Sequence, residues 1–127
     1  MQRTRAAIGY VAFAYARAHH LSDVALPCRD GAVVRANRAS FDAAVAAAHW
    51  RTAADLEQDL VDEPGSGSWP LVGASFVLMP ADGETARRVG RFFAWALGSG
   101  AAVADDLGYV ALPADAATLV RDRLLRP

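Results

Sequence analysis

The chain has 127 residues, 54% of them apolar, and its 13 Arg against 14 Asp and Glu leave a net charge of −1. That balance excludes a disordered tail or a membrane-spanning chain, and it gives no electrostatic case for nucleic acid or anionic lipid as a partner. The single Cys28 cannot close an intramolecular disulfide, which excludes a stapled secreted miniprotein. The 29 alanines and the absence of lysine read as genome composition rather than as selection for a basic surface.

Residues 1–20 begin like a secretion signal, with a charged start and an apolar run over 6–16. The run is short, Tyr10 and Tyr15 interrupt it, and His19-His20 follow the Ala-x-Ala directly, so a signal peptide is not expected. No stretch approaches the roughly 20 apolar residues of a transmembrane helix. As written, the chain is expected to have no route out of the cytoplasm.

In chain order, 8–11 reads as a short buried strand and 12–20 as an alanine-rich helix stopping near Leu21-Ser22-Asp23. The apolar stretch 24–26, closed by Pro27, and 32–34 flank Asp30-Gly31, the signature of a small hairpin. Ser40 is the expected N-cap of a helix with Phe41, Ala44, Val45 and Ala48 on one face, ending before His49-Trp50. Residues 53–61 are polar and weakly periodic, and the Pro-Gly-Ser content of 62–68 marks a linker. After Trp69-Pro70 the apolar run 71–79 is long enough for a central strand, ended by Pro80 and Asp82-Gly83.

The apolar stripe of Val89, Phe92, Phe93, Ala96 and Leu97 predicts a helix over 84–97, with Glu84 and Arg88 paired on its outer side. Gly98-Ser99-Gly100 interrupts it, a short helix follows over 101–107, and Gly108 supplies the left-handed residue that ends it. Residues 109–112 are extended, Pro113 stops them, and Leu119, Val120 and Leu124 form the buried edge of a last helix. The class is α/β.

Little in the chain could run a reaction. His19 and His20 point about 100° apart on a helix and cannot both face one metal; with Asp23, Cys28 and Asp30 nearby, a solvated helix end is the simpler reading. Cys28 activated by His49 would need an oxyanion hole that nothing identifies, so a small buried thiol is expected. Asp105-Asp106 do not share a helix face and read as solvated surface. Gly65-Ser66-Gly67-Ser68 lacks the Lys-Ser/Thr ending of a phosphate loop. Trp69 and Trp95 read as packing residues rather than stacking platforms.

Several stretches together carry a resemblance. Ile8-Gly9-Tyr10-Val11 with Phe13-Ala14-Tyr15-Ala16, then Arg29-Asp30-Gly31, Phe41 and the alanine run to Trp50 come first. Ser68-Trp69-Pro70 with the following run to Met79, Arg91-Phe92-Phe93-Ala94-Trp95-Ala96, and Leu107-Gly108-Tyr109-Val110-Ala111-Leu112-Pro113 continue it in order. This series resembles the C-terminal portion of the periplasmic phosphate-binding protein (PstS) family of bacterial phosphate ABC importers. Two positions depart from it: Ala12 stands where the family commonly has Glu, and Cys28 has no counterpart.

The resemblance implies a partial periplasmic-binding-protein-like fold of type II, with 1–68 the remainder of one lobe (strand, helix, hairpin, helix) and 69–127 the remainder of the other (strand and three helices). Closure would occur near Trp69-Pro70. It further implies a phosphate-binding subunit that delivers inorganic phosphate to permease subunits, performs no chemistry, needs no cofactor, and acts in the periplasm or at the cell surface. The family's phosphate-contacting motifs, including a Ser-Gly-Thr helix start with a nearby Arg, match no position here, so no ligand-binding, catalytic or metal residue is expected in this chain. Met1 falls where the family is in mid-domain, which fits an internal start, a truncated gene or a pseudogene product, with the missing N-terminal half as a partner to be expected. The alternative is a standalone protein-interaction module derived from such a lobe.

Overall fold

The computed structural model describes residues 4–50 and 58–124. Its elements run α1 (Phe13–Ala18), β1 (Leu26–Pro27), β2 (Val33–Val34), α2 (Arg38–Ala47), α3 (Gly83–Ala96), α4 (Ala101–Asp106) and α5 (Ala114–Leu124). The class is mixed helix and sheet, and the sheet among the described residues is small.

The expected hairpin forms. β1 and β2 pair antiparallel, Leu26 opposite Val34 and Pro27 opposite Val33. The turn closes through Cys28 N–H to the Ala32 carbonyl at 2.8 Å and Gly31 N–H to the Cys28 carbonyl at 2.9 Å, with Gly31 at φ 83°. A left-handed turn residue of that kind suits glycine.

The two longer strands expected at 8–11 and 71–79 do not form. Leu71 makes one antiparallel bridge to Val61, and neither 8–11 nor 72–79 forms a strand among the described residues. A strand exists only with a partner across a ladder, and the described chain offers none alongside these segments.

Helix α1 stops at Ala18, earlier than expected. The His20 N–H donates to the Arg17 carbonyl at 3.2 Å and the Leu21 N–H to the Ala16 carbonyl at 3.0 Å, the two bonds of a Schellman end, with His20 at φ 49°. The same device ends α4, where Gly108 N–H reaches the Asp105 carbonyl and Tyr109 N–H the Ala104 carbonyl, both at 2.9 Å, with Gly108 at φ 82°. The expected role of Gly108 is therefore met.

In α2 the N-cap is Asn37, not Ser40. Asn37 Oδ1 accepts from Ser40 N–H at 3.1 Å, and Ser40 Oγ accepts from Asn37 N–H at 3.1 Å, a reciprocal capping box with Ser40 one turn in. Phe41 meets Phe13 edge to face at 4.9 Å, which seats α1 on α2.

Along α3, Val89, Phe93, Ala96 and Leu97 are half-buried as the stripe predicted, while Phe92 is exposed and the fully covered residues are Ala86 and Gly90. The reason is close approach to α5. A Cβ on Gly90 would stand 3.0 Å from the Leu124 carbonyl oxygen. Glu84 pairs with Arg87 at 3.1 Å and Arg91 at 3.8 Å rather than with Arg88.

The core joins Val45, Ala48, Trp50, Leu60 and Ala116, with Val72, Val110 and Leu112 against it. The buried residue of α5 is Ala116, at 0% exposure, whereas Leu119 is exposed and Val120 and Leu124 are half-buried. The helix enters the core by its first turn, so its later apolar residues lie past the cluster. Trp50 Nε1 donates to the Val45 carbonyl at 2.8 Å, satisfying the one polar atom this ring brings inside.

Much apolar surface remains uncovered. The whole chain exposes 9266 Å², against about 6,500 Å² for a compact monomer of its mass. Tyr10 is 97% and Leu78 98% exposed.

Candidate functional site

Among the described residues, long-range polar contacts gather at the loop 61–71. Its Pro-Gly-Ser composition breaks helix and strand, as the sequence predicts, yet it is a closed loop rather than an open tether. Val61 bridges Leu71, and Asp62 N–H donates to the Pro70 carbonyl at 3.0 Å, so the two stems meet. Inside, Ser68 is 1% exposed; its Oγ donates to the Pro64 carbonyl at 2.8 Å and its N–H to the Gly65 carbonyl at 3.0 Å. Gly65 sits at φ 119°, and a Cβ there would stand 2.9 Å from Ser68 Oγ, so glycine is required on both counts.

Two neighbours pin this loop. The hairpin turn supplies Asp30, whose Oδ2 accepts from Gly65 N–H at 3.1 Å. The first turn of α2 supplies the Ser40 carbonyl, which accepts from Trp69 N–H at 3.0 Å, while Ser40 Oγ donates within reach of the Arg35 carbonyl at 2.8 Å and the Asn37 carbonyl at 2.9 Å. Chemically the loop is self-contained. A phosphate cradle needs amide donors facing outward, and here the Gly65 amide already holds the Asp30 carboxylate. The arrangement fixes the path of Trp69-Pro70 and leaves a shallow open depression of about 360 Å³ beside it, between Leu60 and Val61 on one side and Val72, Gly73 and Phe76 on the other.

The residues weighed for metal or nucleophilic chemistry are drawn into separate contacts. His19 packs on Tyr15 at 4.2 Å between ring centres, Asp23 pairs with Arg35 at 3.5 Å, Asp30 holds Gly65, and Cys28 is buried at the hairpin. Among the described residues no group of three or more His, Cys, Asp or Glu could hold a metal. Asp105 and Asp106 are exposed, as expected, and Asp105 also accepts from Arg38 Nη1 at 2.8 Å, while Arg38 Nε lies 2.8 Å from Asp42 Oδ1. Asp42 first, and Asp105 second, raise the Arg38 guanidinium above its ordinary range, and the trio ties α2 to α4. Trp95 is half-exposed beside Phe92, its ring 3.1 Å from where a Gly100 Cβ would stand, and Trp69 is half-buried. No described helix is long and apolar enough to cross a membrane.

No family model matches the chain. Among curated proteins it is similar to the phosphate-binding protein PstS of Haemophilus influenzae, with 34% identity over 126 residues, 97% of this chain and 38% of that protein. The PstS of Pasteurella multocida is 36% identical over 116 residues, 89% of this chain and 34% of the relative. That of Xylella fastidiosa is 34% identical over 116 residues, 89% of this chain and 32% of the relative. The chain thus spans about a third of the length of the curated relatives it matches.

Proposed function

From the premise that the chain belongs to the PstS phosphate-binding protein family, we propose that it is part of a solute-binding protein that holds inorganic phosphate for an ABC importer. The observation that carries this reading is 34% identity running through 97% of the chain, because a match of that extent includes every motif from Ile8 to Pro113. In this reading no bond of the ligand is made or broken, and the protein works on the periplasmic side or at the cell surface beside the permease subunits. Residues 1–68 and 69–127 belong to different lobes, and closure bends the chain near Trp69-Pro70. In this fold the two parts share one core, with Val45, Ala48, Trp50 and Leu60 against Ala116, Val72, Val110 and Leu112, and Trp69 and Pro70 are themselves hydrogen-bonded, so a bend there requires those contacts to open. The groups that touch phosphate lie in the part of the family sequence outside this segment.

Calorimetric titration with phosphate, and with sulfate as control, tests this. The chain alone gives no saturable heat, while the chain joined by the rest of a PstS-type sequence gives phosphate-specific heat. Specific heat from the chain alone overturns the placement of the ligand groups, and no heat from the two-part protein overturns the phosphate reading.

A further inference from the structure

The loop 61–71 owes its shape to its own bonds and its place to others. Ser68 Oγ on the Pro64 carbonyl and the Asp62 amide on the Pro70 carbonyl close it, and Gly65 at φ 119° admits no Cβ beside Ser68. None of these bonds sets the closed loop against the rest of the chain. Two contacts do: the Trp69 amide on the Ser40 carbonyl at 3.0 Å, and the Gly65 amide on Asp30 Oδ2 at 3.1 Å, 35 residues away. The first is backbone at both ends. The second hangs on one carboxylate, and a bond to an ionised acceptor is roughly twice as strong as a neutral one. Asp30 has no duty nearer home, because the Cys28 and Gly31 amides close the hairpin turn on backbone carbonyls and Gly31 supplies its left-handed residue. A bend at Trp69-Pro70 opens the Trp69–Ser40 bond, whereas the tie at Gly65, four residues earlier, stays as the fixed end.

We propose that Asp30 is a positioning residue for phosphate binding: by holding Gly65 it sets the direction in which the loop carries the chain into Trp69-Pro70, and so the share of molecules whose two parts are aligned to hold the anion. It deepens the solute-binding reading and rests on it. Apparent affinity scales with the fraction of molecules in the competent arrangement, so a loosened loop weakens binding with no contact between Asp30 and the ligand. The sign separates this role from plain electrostatics. Removing a carboxylate makes the protein less negative, which by long-range attraction strengthens anion binding, whereas loss of position weakens it.

The test takes the Haemophilus influenzae PstS with its matched segment replaced by this chain and titrates it calorimetrically with phosphate. Asp30→Ala is expected to raise Kd about fivefold with the melting temperature nearly unchanged. Asp30→Asn, which keeps an acceptor for the Gly65 amide, recovers most of the affinity. Asp23→Ala is the charge control: Asp23 pairs with Arg35 at 3.5 Å, away from the loop, so its loss leaves Kd the same or lower. Exchange of the Gly65 amide quickens at least about fivefold in Asp30→Ala and not in Asp23→Ala. An unchanged Kd or an unchanged Gly65 exchange rate in Asp30→Ala overturns the proposal, as does a Kd that falls, which leaves only charge. A loss of affinity matched by a drop in melting temperature, or an Asp30→Ala that does not fold while Asp30→Asn binds normally, makes the tie merely structural and overturns it too. No phosphate heat from the unsubstituted protein overturns the solute-binding reading and this proposal with it; heat that Asp30→Ala leaves untouched overturns this proposal alone.

Discussion

Gly108 stands against Ala14: a Cβ at residue 108 would lie 2.6 Å from the Ala14 Cβ, and Gly108 holds φ 82° at the end of α4. Two segments 94 residues apart in sequence thus meet at a point with room for hydrogen only. Gly108→Ala is therefore penalised twice, by the left-handed backbone, about 1–2 kcal/mol, and by the contact. Urea melts of Gly108→Ala and of Gly108→Ala with Ala14→Gly separate the two. The second variant recovers the contact part and retains the backbone part.

His20 takes the same left-handed position at the end of α1 with a side chain attached. His20→Gly keeps both Schellman bonds and relieves the backbone, so it raises stability by about 0.5–1 kcal/mol in the same melts. A loss of stability instead would mean that the His20 ring contributes a contact worth more than the strain.

Asn37→Ala removes the acceptor of the Ser40 amide and costs about 1 kcal/mol. Asn37→Asp keeps that acceptor and adds a negative charge at the helix start, so it is neutral or mildly stabilising. Far-ultraviolet circular dichroism through a thermal melt reads both.

Arg38 faces Asp42 and Asp105 with about half its side chain in water, so Arg38→Met costs no more than about 1 kcal/mol, and the difference shrinks as salt rises to 1 M. The sign of the pH dependence follows from the raised guanidinium. Its contribution is complete at every pH below the ordinary arginine range and is lost only as pH climbs beyond it, so deprotonation of this group adds no slope between pH 5 and 9. Melts of the wild type and variant at two salt concentrations and across that pH range check both statements.

What could be read from the sequence was whatever neighbours in sequence decide. Asp30-Gly31 and Gly108 announce backbone conformations that glycine alone reaches cheaply, and the stripe through Val89 and Phe93 announces a helix face; all three stand in the fold. Ser40 was legible as a capping residue but not as the inner member of the box, because Asn37 three residues earlier is an equally good cap and the choice depends on where the chain leaves β2. Residues 8–11 and 71–79 carry strand composition, yet pairing is decided by a partner that composition does not name. The tie between Asp30 and Gly65 spans 35 residues and leaves no local signature; neither did the approach of Gly90 to Leu124, which moved burial from Phe92 to Ala86.

Pro70 and Pro80 enclose 71–79, a run of nine residues without a charge, about 30 Å when extended. Such a run is the composition that stacks into cross-β fibrils when left open. A proline at each end cannot donate to a ladder, so the sticky stretch has a fixed length and cannot recruit its flanks. In a cell making this chain, those two rings set how far misassembly can spread along the backbone: one strand's worth, with its ends already stopped.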